Sequence, residues 1–239
     1  MLALKRVFLI ALFFLSVFAG TSHASALPLF SETGKQAVFL SPMELWMPTW
    51  YLEGYVSQLE RAGYHVDVLL NEDVSISFLK TGLANYDIII LRTDSFDNEG
   101  VVYYCSGEPV TTKTRTAFTA EISSGELQVG VCVGFNEAFL KDNYPPNSLR
   151  PGLVFAIGSL TTDLSSAFLA GGSSAFISYN GGLQWGQFDA LSIRVLRYLA
   201  QGYTVKDALT ELNKYLQAGH GKTANWPSPY WSGNGDFKI

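Results

Sequence analysis

The sequence predicts an α/β fold built on a mainly parallel sheet, with an antiparallel excursion set into it over residues 99–135. Three observations predict it. Short apolar runs alternate along the chain with amphipathic stretches of roughly ten to fifteen residues, the rhythm of β-α-β crossovers. One run, Ile88-Ile89-Ile90-Leu91, is apolar at every position, as a strand covered on both faces must be. The stretch 99–135 breaks that rhythm with alternating residues separated by Gly-Glu-Pro and Ser-Ser-Gly turn signals.

The chain opens with Lys5 and Arg6, an apolar run from Val7 to Ala19 and a small-residue segment ending Ala24-Ser25-Ala26. That is the pattern of a secretory signal with an A-x-A cleavage site, so residues 1–26 read as a signal peptide and 27–239 as one exported domain, periplasmic or extracellular. The run is too short for a comfortable membrane span, and no later segment approaches the length needed.

"QAVFLSP" (36–42) is an apolar run stopped by a proline, as a buried strand would be. From Pro48 to Ala62, Leu52, Tyr55, Val56 and Leu59 fall at helical spacing, and Gly63 closes the helix. "YHVDVLL" (64–70) alternates like a strand, a weaker helical stretch spans 74–81, and "YDIIILRT" (86–93) is the central strand. Within the excursion, "VVYYCSG", "KTRTAFTAEI" and "ELQVGVCVGF" all read as β segments. After the proline-rich "NYPPNSLRPG", the parallel pattern resumes at 153–158, followed by a helix from about Asp163 to Ala170 and the strand "SAFISY" (174–179). Phe188, Leu191, Val195, Leu196 and Leu199 form one helical stripe ending at Gly202. Val205, Ala208, Leu209, Leu212 and Leu216 form the next, with Thr204 and Asp207 in capping-box spacing and Gly219 as its stop.

Composition narrows the function classes. A formal charge of −5, two units more negative without Lys5 and Arg6, gives no electrostatic reason to bind nucleic acid. The two cysteines, Cys105 and Cys132, lie in neighbouring β segments of an exported chain, which makes them disulfide candidates, two separate buried thiols being the alternative. Two distant cysteines with His65 and His220 make no metal-ligand cluster, and no cofactor motif is present; "GHGKT" fails as a phosphate loop because Leu216 stands where its first glycine belongs. Asp97, Glu99 and Glu108 have no spacing that identifies a glycosidase pair. The aromatic tail "NWPSPYWSG" (225–233) either stacks on a ligand or lays the chain end onto the domain.

In a parallel sheet, ligands and chemistry collect outside the carboxyl ends of the strands, which points at Arg92–Ser95 and Gly158–Thr162. These segments offer Asp94 and Ser159. An aspartate with an ordinary acidic pKa is a poor base for a serine hydroxyl, so such a pair would be nearly inert.

The order of motifs "YDIIILRTDS", "LVFAIGSLTTDLSSAFLAGGSSAFISYNGG" and "VLRYLAQGYTVKDALTELN" resembles the caspase-like fold of gingipain-type cysteine peptidases and their CHAT-domain relatives, from about Gln36 to Leu216. The resemblance implies a caspase-like three-layer sandwich, with Asp94 at the family's histidine position and Ser159 at its cysteine position. With both replaced, it implies a peptidase fold whose chemistry has been lost and whose cleft remains to bind a peptide or protein partner. "SYNGGLQWG" (178–186) then looks like the loop after the pocket strand, in which Asn180 and Gln184 would hydrogen-bond a ligand, Trp185 would stack on it, and Gly181 and Gly182 would admit a close backbone; the alternative is a turn whose tryptophan caps the core. Two other readings stand beside this one: a hydrolase that pairs Ser159 with His220 or another base, and a flavodoxin-like module binding a small molecule.

Overall fold

The computed structural model describes residues 34–43, 49–181, 185–220 and 227–239. The first strand, β1 (Gln36–Ser41), leads to helix α1 (Thr49–Arg61), and Gly63, at φ +86°, turns the chain into β2 (His65–Leu70). Ser75 caps α2 (Ile76–Thr81) by accepting from the Phe78 amide, and β3 (Ile88–Arg92) follows. Next come β4 (Ser95–Asn98), β5 (Val101–Cys105), the short helices α3 (Thr112–Ala117) and α4 (Thr119–Ser124), β6 (Leu127–Val129) and β7 (Val133–Phe135). The remainder is α5 (Glu137–Asn143), β8 (Leu153–Ile157), α6 (Ser165–Gly171), β9 (Ala175–Asn180), α7 (Trp185–Ala200), α8 (Val205–Tyr215) and β10 (Ser228–Gly233).

Among the described residues, six strands form one sheet in the order β10-β9-β8-β3-β1-β2, parallel except for β10, and four form a second, antiparallel sheet in the order β4-β5-β7-β6. Alternate residues of the large sheet feed two cores. Phe39, Ile88, Ile90, Phe155, Ile177 and Tyr179 pack under α1, α7 and α8. Val38, Leu40, Ile89, Leu91, Val154 and Phe176 face α2, α5, α6 and the small sheet, through Leu79, Phe139, Phe168 and Phe135. The period-two alternation of a strand buried on both faces therefore produces the three layers, and the predicted class, a mainly parallel α/β sandwich with an antiparallel insertion, is the observed one.

The insertion differs from its prediction in two places. "KTRTAFTAEI" forms α3 and α4 instead of a strand: Thr111 accepts from the Thr114 amide, and Phe118 and Ile122 pack from the helices onto the core. The partner that β5 needs comes from earlier in the chain, as β4, so the antiparallel sheet begins at Ser95 and not at 99. Glu99 and Gly100, both at positive φ, make the tight turn between them, with Asp97 accepting from the Gly100 amide. Glu108 accepts from the Ile76 amide. Residues 228–233 of the aromatic tail form β10, an edge strand paired with the whole of β9, while Asn225 and Trp226 lie outside the described residues.

Candidate functional site

Neighbouring strands β3 and β8 run in register with Arg92 opposite Ile157, so the turns that follow them leave the sheet side by side. The Thr93 amide continues the ladder to the Ile157 carbonyl at 2.9 Å. Gly158 allows this approach: at φ +149°, an added Cβ would lie 1.9 Å from the Thr93 carbonyl oxygen. Beyond it, the Ser95 hydroxyl donates to the Ser159 carbonyl at 2.8 Å and the Tyr104 hydroxyl to the Leu160 carbonyl at 2.8 Å. The Thr161 hydroxyl lies 3.0 Å from the Gly158 carbonyl and 2.7 Å from the Ser178 hydroxyl, which fixes the far end of the turn onto β9. Leu160, at φ 59° and half exposed, holds a left-handed conformation that is costly for a non-glycine residue.

The partner turn is anchored by the insertion. Cys105 donates its amide to the Asp94 carbonyl at 2.9 Å and accepts from the Thr93 hydroxyl at 2.7 Å. Cys105 and Cys132 are joined by a disulfide with their Cα atoms 5.6 Å apart, which ties β5 to the start of β7. Asp94 and Ser159 thus stand on two turns linked by a hydrogen bond, both half-buried. Among the described residues, the Asp94 carboxylate accepts from the Ser95 amide at 2.9 Å, and no imidazole bonds to either residue. His65 opens β2 at the opposite edge of the sheet, with its side chain largely exposed and 3.5 Å from Asp67. The side chain of His220 lies outside the described residues.

The pocket loop is described in part. Asn180 ends β9 exposed, and Gly181 turns the chain at φ +106° with open space around it; Gly182 and Gln184 lie outside the described residues. Trp185 is half-buried, its ring 4.2 Å from the Arg92 guanidinium carbon and 6.0 Å from the Phe188 ring. A cleft of about 340 Å³ lies between β5 and the start of α5, lined by Val101, Val102, Tyr104, Asn136, Glu137 and Asp163 among others, and Tyr104 links it to the Leu160 carbonyl. Burial, helped by the charges of Asp163 and Glu137, pushes the Tyr104 hydroxyl well above its ordinary pKa, so it stays a proton donor to Leu160.

Sequence reasoning missed the centre of this rim. Arg92 and Asp189 are both buried and form a two-point ion pair, Nε to Oδ1 at 2.9 Å and Nη2 to Oδ2 at 3.1 Å. Arg92 Nη1 reaches the Ser41 hydroxyl at 3.4 Å, and the Tyr55 hydroxyl donates to Asp189 Oδ1 at 3.0 Å. Burial, and then the Asp189 charge, raise the hydroxyl pKa of both Tyr51 and Tyr55. The available signals were an arginine ending an apolar strand and an aspartate inside the apolar stripe of α7, between Phe188 and Leu191.

No protein-family model and no curated protein matches this chain. Among solved structures, it aligns with the crystal structure of drICE at 11% identity and a TM-score of 0.44, over 84% of this chain and 88% of that one.

Proposed function

We propose that this chain is an exported, catalytically silent relative of the caspase-like peptidases of the gingipain and CHAT type, and that it binds a peptide or protein partner at the carboxyl rim of its large sheet. One observation supports the reading: the Ser95 hydroxyl donates to the Ser159 carbonyl at 2.8 Å, so the turns bearing Asp94 and Ser159, the two positions that the resemblance gives to the dyad, are neighbours, and their side chains are an acid and an alcohol. A carboxylate is a far weaker base than an imidazole and has little driving force to take a serine proton near neutral pH. Both cysteines are tied up in the disulfide, so neither supplies a thiolate. What remains is the exposed Asn180 and Gly181 with Trp185 at the end of β9 and the start of α7, and, on the other face of the large sheet, the cleft lined by Val101, Tyr104 and Glu137.

The test has two arms on the folded, oxidised protein. Incubation with a fluorophosphonate probe is expected to leave the intact mass unchanged. Panning against a random heptapeptide phage library is expected to enrich binders whose capture is lost in N180A/W185A. Stoichiometric labelling of Ser159 would replace the silent reading with a serine hydrolase, and a library with no enriched binders would remove the peptide ligand.

A further inference from the structure

The four residues before Arg92 are Ile88, Ile89, Ile90 and Leu91, all buried, and the buried face of α7 holds, besides Asp189, one other polar residue, Ser192, among Phe188, Leu191, Val195, Leu196 and Leu199. Fastening α7 to β3 needs only more of the same. The fold instead places a charge on each element and takes both out of water. Desolvation penalises each ion, and a buried pair often does no better for stability than apolar side chains of equal volume. What the pair supplies that aliphatic side chains do not is direction. The guanidinium is a planar fork, and its two bonds to one carboxylate fix the rotation of each group about the other.

We infer that Arg92 and Asp189 are positioning residues for the candidate binding rim, holding Trp185 and the start of α7 in a set orientation against the turn that carries Asp94. Four contacts converge on this geometry. The bidentate bonds at 2.9 and 3.1 Å join the end of β3 to the second turn of α7. The indole of Trp185 lies over the guanidinium at 4.2 Å, so its inner face is set by the plane of the fork. Tyr55, from α1, donates to Asp189 at 3.0 Å and restricts the carboxylate's rotation. Tyr51, from the same helix, donates to the Gly186 carbonyl at 3.1 Å, directly after Trp185. A ligand stacking on Trp185 would then meet a ring aligned before it arrives, which lowers the ordering cost of binding.

The inference rests on the peptide-binding reading, and its test separates the two. R92M/D189L keeps the volume and removes both charges; R92K keeps the charge and loses the fork. For each, and for the wild type, acrylamide quenching of Trp185 is obtained as the difference from the matching protein carrying W185F, alongside a urea melt and capture of the heptapeptide phage enriched on the wild type. The expected result is a folded protein whose Trp185 quenching constant rises about twofold as the ring loses its planar partner, with phage capture falling at least in parallel. A folded R92M/D189L with wild-type quenching and wild-type capture would overturn the positioning role. If R92M/D189L does not fold, R92K decides by the same readouts. If the wild type enriches no phage, the binding reading fails, and the quenching of Trp185 alone supports or overturns the positioning role.

Discussion

Replacing Cys105 and Cys132 together by alanine tests how the insertion holds the Asp94 turn. The disulfide joins residues 27 apart in sequence. Loop-closure entropy for a ring of that size corresponds to about 3–4 kcal/mol at room temperature, removed from the unfolded chain. Beside it, β5 and β7 pair through Tyr104 with Phe135 and Cys105 with Gly134, and the Ser106 amide and hydroxyl both donate to the Val133 carbonyl. Cys105 also donates to Asp94 and accepts from Thr93, so the loss is transmitted to the rim. Urea melts of wild type and C105A/C132A should differ by about 3–4 kcal/mol, and hydrogen exchange should rise at the residue 105 and Ser106 amides and at Thr93 and Ser95. A difference below about 1 kcal/mol, or faster exchange confined to α3 and α4, would refute the claim that the bridge fastens the insertion to the rim.

Three further outcomes are expected. Gly158→Ala, with its Cβ 1.9 Å from the Thr93 carbonyl oxygen, should cost about 2 kcal/mol or more in a denaturant melt, whereas Gly63→Ala, at positive φ but in open space, should cost about 1 kcal/mol. Asp189→Ala leaves the Arg92 charge buried without its partner and the Tyr55 hydroxyl without its acceptor, and should lose about 3–5 kcal/mol by the same measurement. Tyr64 is pushed up to about 12 by burial and the nearby Asp87 charge, and Tyr55 is raised well above its ordinary value. Above the unfolded tyrosine value the unfolded chain releases protons first, so urea melts should show this contribution intact up to about pH 10 and then falling by about 1.4 kcal/mol per pH unit for each such tyrosine, for Tyr64 until about pH 12.

Much of the fold was legible because the sheet is covered on both faces, so each core strand reads as an unbroken apolar run and each covering helix as a stripe. β3 and β8 illustrate this, and their adjacency put the Asp94 and Ser159 turns on one rim. β4 was not legible: Ser95–Asn98 holds a single apolar residue, Phe96, and is a strand because β5 is beside it. "KTRTAFTAEI" misled because the β-branched threonines alternate with Lys113 and Arg115 as along a strand; the Thr111 cap was a local signal for a helix, and the docking of Phe118 and Ile122 that settles it is tertiary. The Arg92–Asp189 pair spans 97 residues, and neither residue carries a local mark of the other.

The central claim, that Asp94 and Ser159 occupy the two places of a former histidine–cysteine dyad, is tested most directly by putting such a dyad back. The described residues hold no free cysteine, so S159C adds a thiol beside an intact disulfide. Its rate of alkylation by iodoacetamide is measured against pH in S159C and in D94H/S159C. The expected result is a thiol pKa at least about one unit lower when the imidazole is present, because the imidazolium stabilises the thiolate across the rim. Superimposable profiles would mean that the two side chains do not face each other, and the dyad assignment would be wrong.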